Sequence, residues 1–160
     1  MDSLEKITIL LNKILMVVGG VAVLALMALA TINVGLRVFG IPFRGTYEFV
    51  GCLGALVIAF ALGYTQKRKG HIVVDILTER FPKPVNRVLD GISYFITMIF
   101  FAIVSWQIVV WGIKIWRSGE VSETLKVIYY PFIFAVGAGF AIFSLTLIVD
   151  FLKNMQCTEE

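Results

Sequence analysis

The chain is poor in the residues that most active sites use. Its 160 residues include one histidine, two cysteines and four prolines, and only 16% of them are charged. An ordinary soluble domain is about 25% charged and roughly 45–50% apolar, whereas this chain is 59% apolar. The composition therefore argues against a soluble domain, and the apolar content excludes a disordered chain. The net charge of +3 is small for a nucleic-acid binder.

The sequence contains long apolar runs that carry no charged residue. Four runs contain no Asp, Glu, Lys, Arg or His: 14–36, 49–66, 91–113 and 127–149. A helix needs about 20 such residues to cross the ~30 Å hydrocarbon layer, and a backbone in lipid must satisfy its own hydrogen bonds. We predict an all-α integral membrane protein, one membrane domain over 1–160, with spans at about 14–37, 47–66, 88–116 and 127–151. A soluble bundle is disfavoured, because stretches such as Val17–Ala30 have no polar face.

Lys and Arg in the flanks predict the orientation of the spans. With four spans, both termini and the middle loop share one side, which carries nine basic residues against five on the other side. The cluster Lys67-Arg68-Lys69 belongs to the richer side. We therefore expect both termini and the middle loop to be cytoplasmic.

The middle loop, residues 67–84, has an amphipathic pattern. One face at helical spacing is apolar and consists of Val73, Ile76, Leu77 and Phe81. The other face is polar and consists of His71, Asp75, Thr78 and Glu79. This pattern predicts a short amphipathic helix in the cytoplasmic interface that ends before Pro82. The N-terminal segment has a similar stripe, Leu4, Ile7 and Leu11, which either lies on the membrane surface or extends the first span.

Ionisable residues stand at the outer ends of the first two spans. Arg37 closes the first span and Glu48 opens the second, with a turn-rich loop between them. The two side chains either form an ion pair that locks these span ends together, or reach separately to the lipid headgroups. Near mid-membrane the polar residues are uncharged, namely Thr97, Ser105, Gln107 and Ser144. A chain that transported by itself would be expected to place ionisable residues or broken helices there.

Small residues in the first and fourth spans predict helix-packing surfaces. They are Gly19, Gly20, Ala22, Ala25 and Ala28 in the first span, and Ala135, Gly137, Gly139 and Ala141 in the fourth. The neighbouring helix belongs either to this chain or to a partner, and the sequence leaves both open.

Catalytic chemistry is missing from the sequence. The only histidine, His71, lies outside the spans, so no span offers the histidine that usually ligates a membrane haem. No HExxH motif, Walker loop or nucleophile elbow occurs. Cys52 and Cys157 are expected on opposite sides of the membrane and predict neither a disulfide nor a metal site. We therefore predict no catalytic residue, no metal and no cofactor.

The chain resembles the small membrane subunit of tripartite ATP-independent periplasmic (TRAP) transporters. The resemblance is carried by Arg37, by Glu48 and by the stretch Gly70-His71-Ile72-Val73-Val74-Asp75 just after the second span. It implies a four-helix, Q-type subunit of a sodium-coupled transporter for organic acids (carboxylates) in the inner membrane of a bacterium or archaeon. A periplasmic substrate-binding protein would deliver the substrate to a large membrane subunit, and the small subunit would be its non-catalytic scaffold.

The resemblance also suggests which residues contact the partner. Arg37, Glu48, Gly70, His71 and Asp75 are the candidates for structural or partner contacts, although His71 and Asp75 also fit a merely solvated polar face. Two other functions remain as alternatives. One is the membrane anchor of a respiratory redox enzyme, which the lack of histidines in the spans disfavours. The other is a small autonomous exporter, which the lack of an embedded acid disfavours.

Overall fold

The computed structural model describes residues 2–41, 43–67 and 83–156. This part of the chain forms four helices: α1 (Asp2–Val38), α2 (Thr46–Lys67), α3 (Lys83–Ser118) and α4 (Tyr130–Gln156). Each helix contains a segment long and apolar enough to cross a membrane. The predicted all-α membrane fold with four spans is therefore confirmed. The predicted interfacial helix falls on residues 68–82, which lie outside the described residues.

Helix α1 extends well beyond its charge-free run. It begins at Asp2 and has 37 residues, which corresponds to about 55 Å of helix. No glycine or proline interrupts residues 2–18, and the Thr8 hydroxyl donates to the Leu4 carbonyl at 2.7 Å within the helix. The N-terminal apolar stripe therefore extends the first helix and does not form a separate surface segment.

The ends of α1 and α3 are built in the same way. Gly40 and Gly119 have φ angles of 77° and 65°, in the left-handed region that glycine adopts without steric cost. In α1 the Gly40 and Ile41 amides donate to the Arg37 and Leu36 carbonyls. The corresponding bonds in α3 run from residues 119 and 120 to residues 116 and 115. Both helices thus stop in a Schellman motif, which satisfies carbonyls that helix ends leave open.

Helix α2 lies between α1 and α4, and α3 packs on the far side of α4. We call the end of the bundle that carries segments 39–45 and 119–129 the loop end, and the opposite end the terminal end. The core of the bundle is centred on Ala59 and Phe60 of α2. A Cβ at Gly19 would lie 3.3 Å from Phe60, and one at Gly139 would lie 3.0 Å from the Ala59 side chain. Glycines on α1 and α4 therefore allow α2 to approach both helices closely.

The pair α3–α4 is joined by serine hydroxyls. Ser105 donates to the Gly137 carbonyl at 2.9 Å, and Ser144 donates to the Met98 carbonyl at 3.3 Å. Two of the four uncharged polar residues near mid-membrane thus serve packing within the chain. Only some of the small residues lie at helix contacts within the chain. A Cβ at Gly137 would contact α3, whereas one at Gly20 would have no atom within 4 Å.

A buried polar cluster joins three helices at the terminal end. The Asn12 side chain is only 2% exposed, and its amide donates to the Thr8 carbonyl at 2.8 Å and to the Thr146 hydroxyl at 2.9 Å. Thr146 is fully buried and donates in turn to the Ile142 carbonyl. The Asn12 carboxamide lies against Gly63 of α2, where a Cβ would collide with it. Asn12 thus holds α1 against both α2 and α4.

Replacement of Gly63 by alanine tests this cluster. The new methyl group must displace the Asn12 carboxamide and its hydrogen bond to Thr146, and overpacking of this kind costs about 1–3 kcal/mol. We expect Gly63→Ala to lower the thermal unfolding midpoint of the protein in detergent. The matched control is Gly54→Ala in the same helix, where no atom lies within 4 Å of the Cβ position. Equal unfolding midpoints for the two variants would contradict the role assigned to Asn12.

Candidate functional site

The first turn of α2 meets the segment between α3 and α4 at the loop end. The Glu48 carboxylate accepts a hydrogen bond from the Thr124 amide at 2.7 Å and another from the Leu125 amide at 3.3 Å. The Ser122 hydroxyl also hydrogen-bonds to this carboxylate. Glu48 therefore binds a segment more than 70 residues away along the chain, and its ionised oxygens make the stronger, charge-assisted kind of hydrogen bond.

Local backbone bonds shape the segment that Glu48 binds. The Ser122 amide donates to the Val127 carbonyl at 3.0 Å, and the Lys126 amide donates to the Ser122 carbonyl at 3.1 Å. The turn closes through Lys126, whose φ of 51° is left-handed. A non-glycine residue in this region costs about 1–2 kcal/mol. The bonds from Thr124 and Leu125 to Glu48 offset that cost and orient the turn.

Apolar packing fixes the same contact. Gly45 precedes α2 and is buried, and a Cβ at this position would collide with the Leu125 side chain. Leu125 therefore covers the start of α2, and a side chain at position 45 would displace it. On the other side of α2, the Asn33 side chain of α1 accepts a hydrogen bond from the Phe43 amide at 3.0 Å. Residues 43–45 and segment 119–129 are thus both tied to neighbouring helices.

The structure places two of the five predicted contact residues. Arg37 is exposed in the last turn of α1, and Glu48 lies in the first turn of α2. The carboxylate of Glu48 bonds to residues 122–125, and within the described residues it forms no ion pair with Arg37. Gly70, His71 and Asp75 lie outside the described residues, so their role as contacts stays a prediction.

A cavity of about 420 Å³ opens beside Glu48, between α2 and segment 120–129. Its polar lining includes Glu48, Glu120, Ser122 and Glu123. It shares Gly51, Cys52, Tyr129 and Phe132 with a neighbouring, mainly apolar cavity of about 230 Å³. Partial desolvation, together with the hydrogen bond to Glu120, raises the pKa of Tyr129.

The side chains around this cavity hold a loop in place. Glu48 is engaged by amide donors, and the cavity lining that the structure describes includes no histidine. Among residues 2–41, 43–67 and 83–156, no group of three or more His, Cys, Asp or Glu side chains is placed to hold a metal ion. The arrangement is that of a structural anchor.

Sequence reasoning selected Glu48 and missed its partners. Ser122, Thr124 and Leu125 act mainly through backbone amides and a turn, which carry no distinctive residue pattern. Asn12 was also missed, because it lies just before the first charge-free run and looked like part of a polar flank. A signal in the sequence is the pair of uncharged polar residues Thr8 and Asn12, which are four apart and therefore share one face of a helix.

Replacement of Glu48 by glutamine tests the anchor. The variant keeps the side-chain size but loses the charge, and hydrogen bonds to an ionised acceptor are stronger than those to a neutral one. We expect amide hydrogen exchange of Thr124 and Leu125 to accelerate several-fold, because both amides donate to the Glu48 carboxylate. Glu123→Gln, an exposed carboxylate in the same turn, is the matched control. Unchanged exchange in Glu48→Gln would show that the carboxylate does not hold the loop.

Comparison with known proteins identifies the family. The family model described as "Tripartite ATP-independent periplasmic transporters, DctQ component" matches residues 26–157, most of the chain. No curated protein and no solved structure matches the chain. The matched residues include the loop-end contact and all of α2, α3 and α4. The four-span architecture also agrees with the resemblance found in the sequence. The chain is therefore a multi-pass membrane protein that belongs to the DctQ family, the small subunits of TRAP transporters.

Proposed function

We propose that this protein is the non-catalytic scaffold of a sodium-coupled TRAP transporter for organic acids. The observation that carries the proposal is the family match over residues 26–157. In this proposal a periplasmic binding protein delivers a carboxylate to a large membrane subunit, which carries it together with sodium. The small subunit holds the large one in position in the inner membrane, with both of its own termini in the cytoplasm.

The character of the spans supports a passive role. The charge-free runs leave no ionised side chain near the middle of any span, whereas transporters place ionisable residues or broken helices at their binding sites. Hydroxyls such as those of Ser105 and Ser144 are used between helices of the chain. A rigid support needs packed helices and satisfied polar groups, and the bonds of Asn12, Ser105 and Ser144 between helices are of this kind.

The fixed segments at the loop end are a further argument for a scaffold, one whose loop end faces the periplasm. Glu48, Leu125 and Asn33 tie both outer segments to the helices. Fixed loops lose little conformational entropy when a partner binds, so they are suited to a scaffold that meets other subunits. The excess of basic residues on the opposite side favours the orientation in which this end is periplasmic.

Reconstitution tests the proposed function. The chain is purified in mild detergent from cells that also express a large TRAP membrane subunit and a periplasmic binding protein from the same source, and the complex is placed in liposomes. We expect the large subunit to copurify, and uptake of labelled carboxylic acids to require all three proteins and an inward sodium gradient. The chain alone should transport none of them. Uptake by the chain alone, or purification with a bound haem, would overturn the proposal.

A second test concerns the loop motif after α2. We propose that His71 and Asp75 contact the large subunit, since residues four apart lie on one face of a helix. We expect the double variant His71→Ala with Asp75→Ala to copurify several-fold less large subunit than the wild-type chain. Thr78→Ala with Glu79→Ala, on the polar face of the same predicted helix, is the matched control. Normal recovery in the first variant would assign both residues to a solvated face.

A further inference from the structure

The polar side chain of Gln107 lies in the membrane-spanning part of the chain and faces away from the bundle. Gln107 of α3 is exposed. It lies two residues after Ser105, the residue that binds the Gly137 carbonyl of α4. Two residues correspond to about 200° around a helix, so Gln107 lies on the side of α3 that is opposite α4.

Other carboxamides in the spans behave differently. Asn12 bonds to Thr8 and Thr146, Asn33 accepts from the Phe43 amide, and Gln66 donates to Asp150 at 3.2 Å. Across residues 2–41, 43–67 and 83–156, Gln107 forms no hydrogen bond through its side chain. Thr31 is equally exposed, but its hydroxyl donates to the Met27 carbonyl of its own helix at 2.8 Å.

The depth of Gln107 makes this exposure costly. The candidate span of α3 runs from Gly91 to Ser118, and Gln107 lies close to its middle. Lys114, the next charged residue toward the loop end, is seven residues further on, which is about 10 Å along a helix. A glutamine side chain is too short to reach water over that distance. A carboxamide without a hydrogen-bond partner in hydrocarbon costs several kcal/mol.

The surroundings of Gln107 form a continuous apolar surface. We call this surface the Gln107 face and define it by Ile96, Phe100, Ile103, Gln107 and Trp111, which share one side of α3. The four apolar members are 61%, 58%, 57% and 53% exposed, respectively. Helix α3 is the least buried of the four spans, since only 11% of its span lies inside the bundle. A second helix therefore has free access to this surface.

We propose that the Gln107 face is the surface against which the large membrane subunit docks. Lipid chains offer no donor or acceptor to the Gln107 carboxamide, whereas a transmembrane helix with Ser, Thr, Asn, Gln or an accessible backbone carbonyl does. The inference rests on the proposed function, which supplies a partner that itself crosses the bilayer. The four apolar neighbours provide the van der Waals contact, and the carboxamide fixes the register of the two helices.

Site-specific photo-crosslinking tests the position of the interface. A photoreactive amino acid replaces Ile103 of the Gln107 face or, as the control, Leu24 of α1, which is 66% exposed. In membranes that contain the whole complex, we expect Ile103 to capture the large subunit. Capture only from Leu24 would overturn the Gln107 face while leaving the proposed function intact. A product of twice the mass of this chain from Ile103 would show that a second copy, rather than the large subunit, occupies the face.

Replacement of Gln107 by leucine tests the hydrogen bond. Interhelical hydrogen bonds in membranes contribute ~0.6–1.7 kcal/mol, so we expect a drop of about three- to twentyfold in the affinity of the large subunit, measured by titration in detergent. The matched control is Thr31→Val, which removes an exposed polar group that is already satisfied within α1. Unchanged affinity in Gln107→Leu would overturn the role of Gln107. Failure of the wild-type chain to bind the large subunit would instead reject the proposed function.

Discussion

Hydrogen bonding without water is the constraint on which this structure depends. A polar group inside a lipid-embedded helix must find its partner within the protein, because hydrocarbon offers none. In this chain such hydrogen bonds lie at the contacts between helices. Asn12 of α1 binds Thr146 of α4, and Ser105 of α3 binds the Gly137 carbonyl of α4. These contacts are made by neutral groups, so they join the helices without placing a charge in the membrane. Apolar side chains such as Leu15, Leu56 and Phe60 fill the space between these helices.

Close approach between backbones completes this architecture. Gly19 and Gly139 allow α2 to fit between α1 and α4, and Gly63 makes room for the Asn12 carboxamide. Lipid is as apolar as the helix surfaces, so helix association in a membrane relies on such tight van der Waals contact and on hydrogen bonds. The result is a set of helices in which α2 and α4 are central and α1 and α3 are flanking. The flanking helices leave broad apolar surfaces for lipid or for other subunits.

Both ends of the bundle are held by amide N–H groups that donate to a carboxylate. At the loop end, an ionised carboxylate on Glu48 binds backbone amides of a turn, and the first turn of a helix favours a negative charge. At the terminal end, the Gln66 carboxamide of α2 meets the Asp150 carboxylate of α4. Charge is therefore confined to the ends, where water and headgroups solvate it. This distribution agrees with four helices that are apolar enough to cross a membrane.

The sequence by itself determined the fold class, the number of spans and the family of this protein. Charge-free runs such as 14–36 are sufficient for this, because hydrocarbon thickness and backbone hydrogen bonding leave few alternatives. The sequence also selected Glu48 as important, because an acid at the start of an apolar span is conspicuous. Only the tertiary structure decided that its partners are the amides of Thr124 and Leu125, that Gly19 faces inward while Gly20 does not, and that Ser105 is bonded while Gln107 is not. In a chain that is apolar on every side, periodicity cannot say which face of a helix meets a neighbour, since burial and lipid exposure favour the same residues.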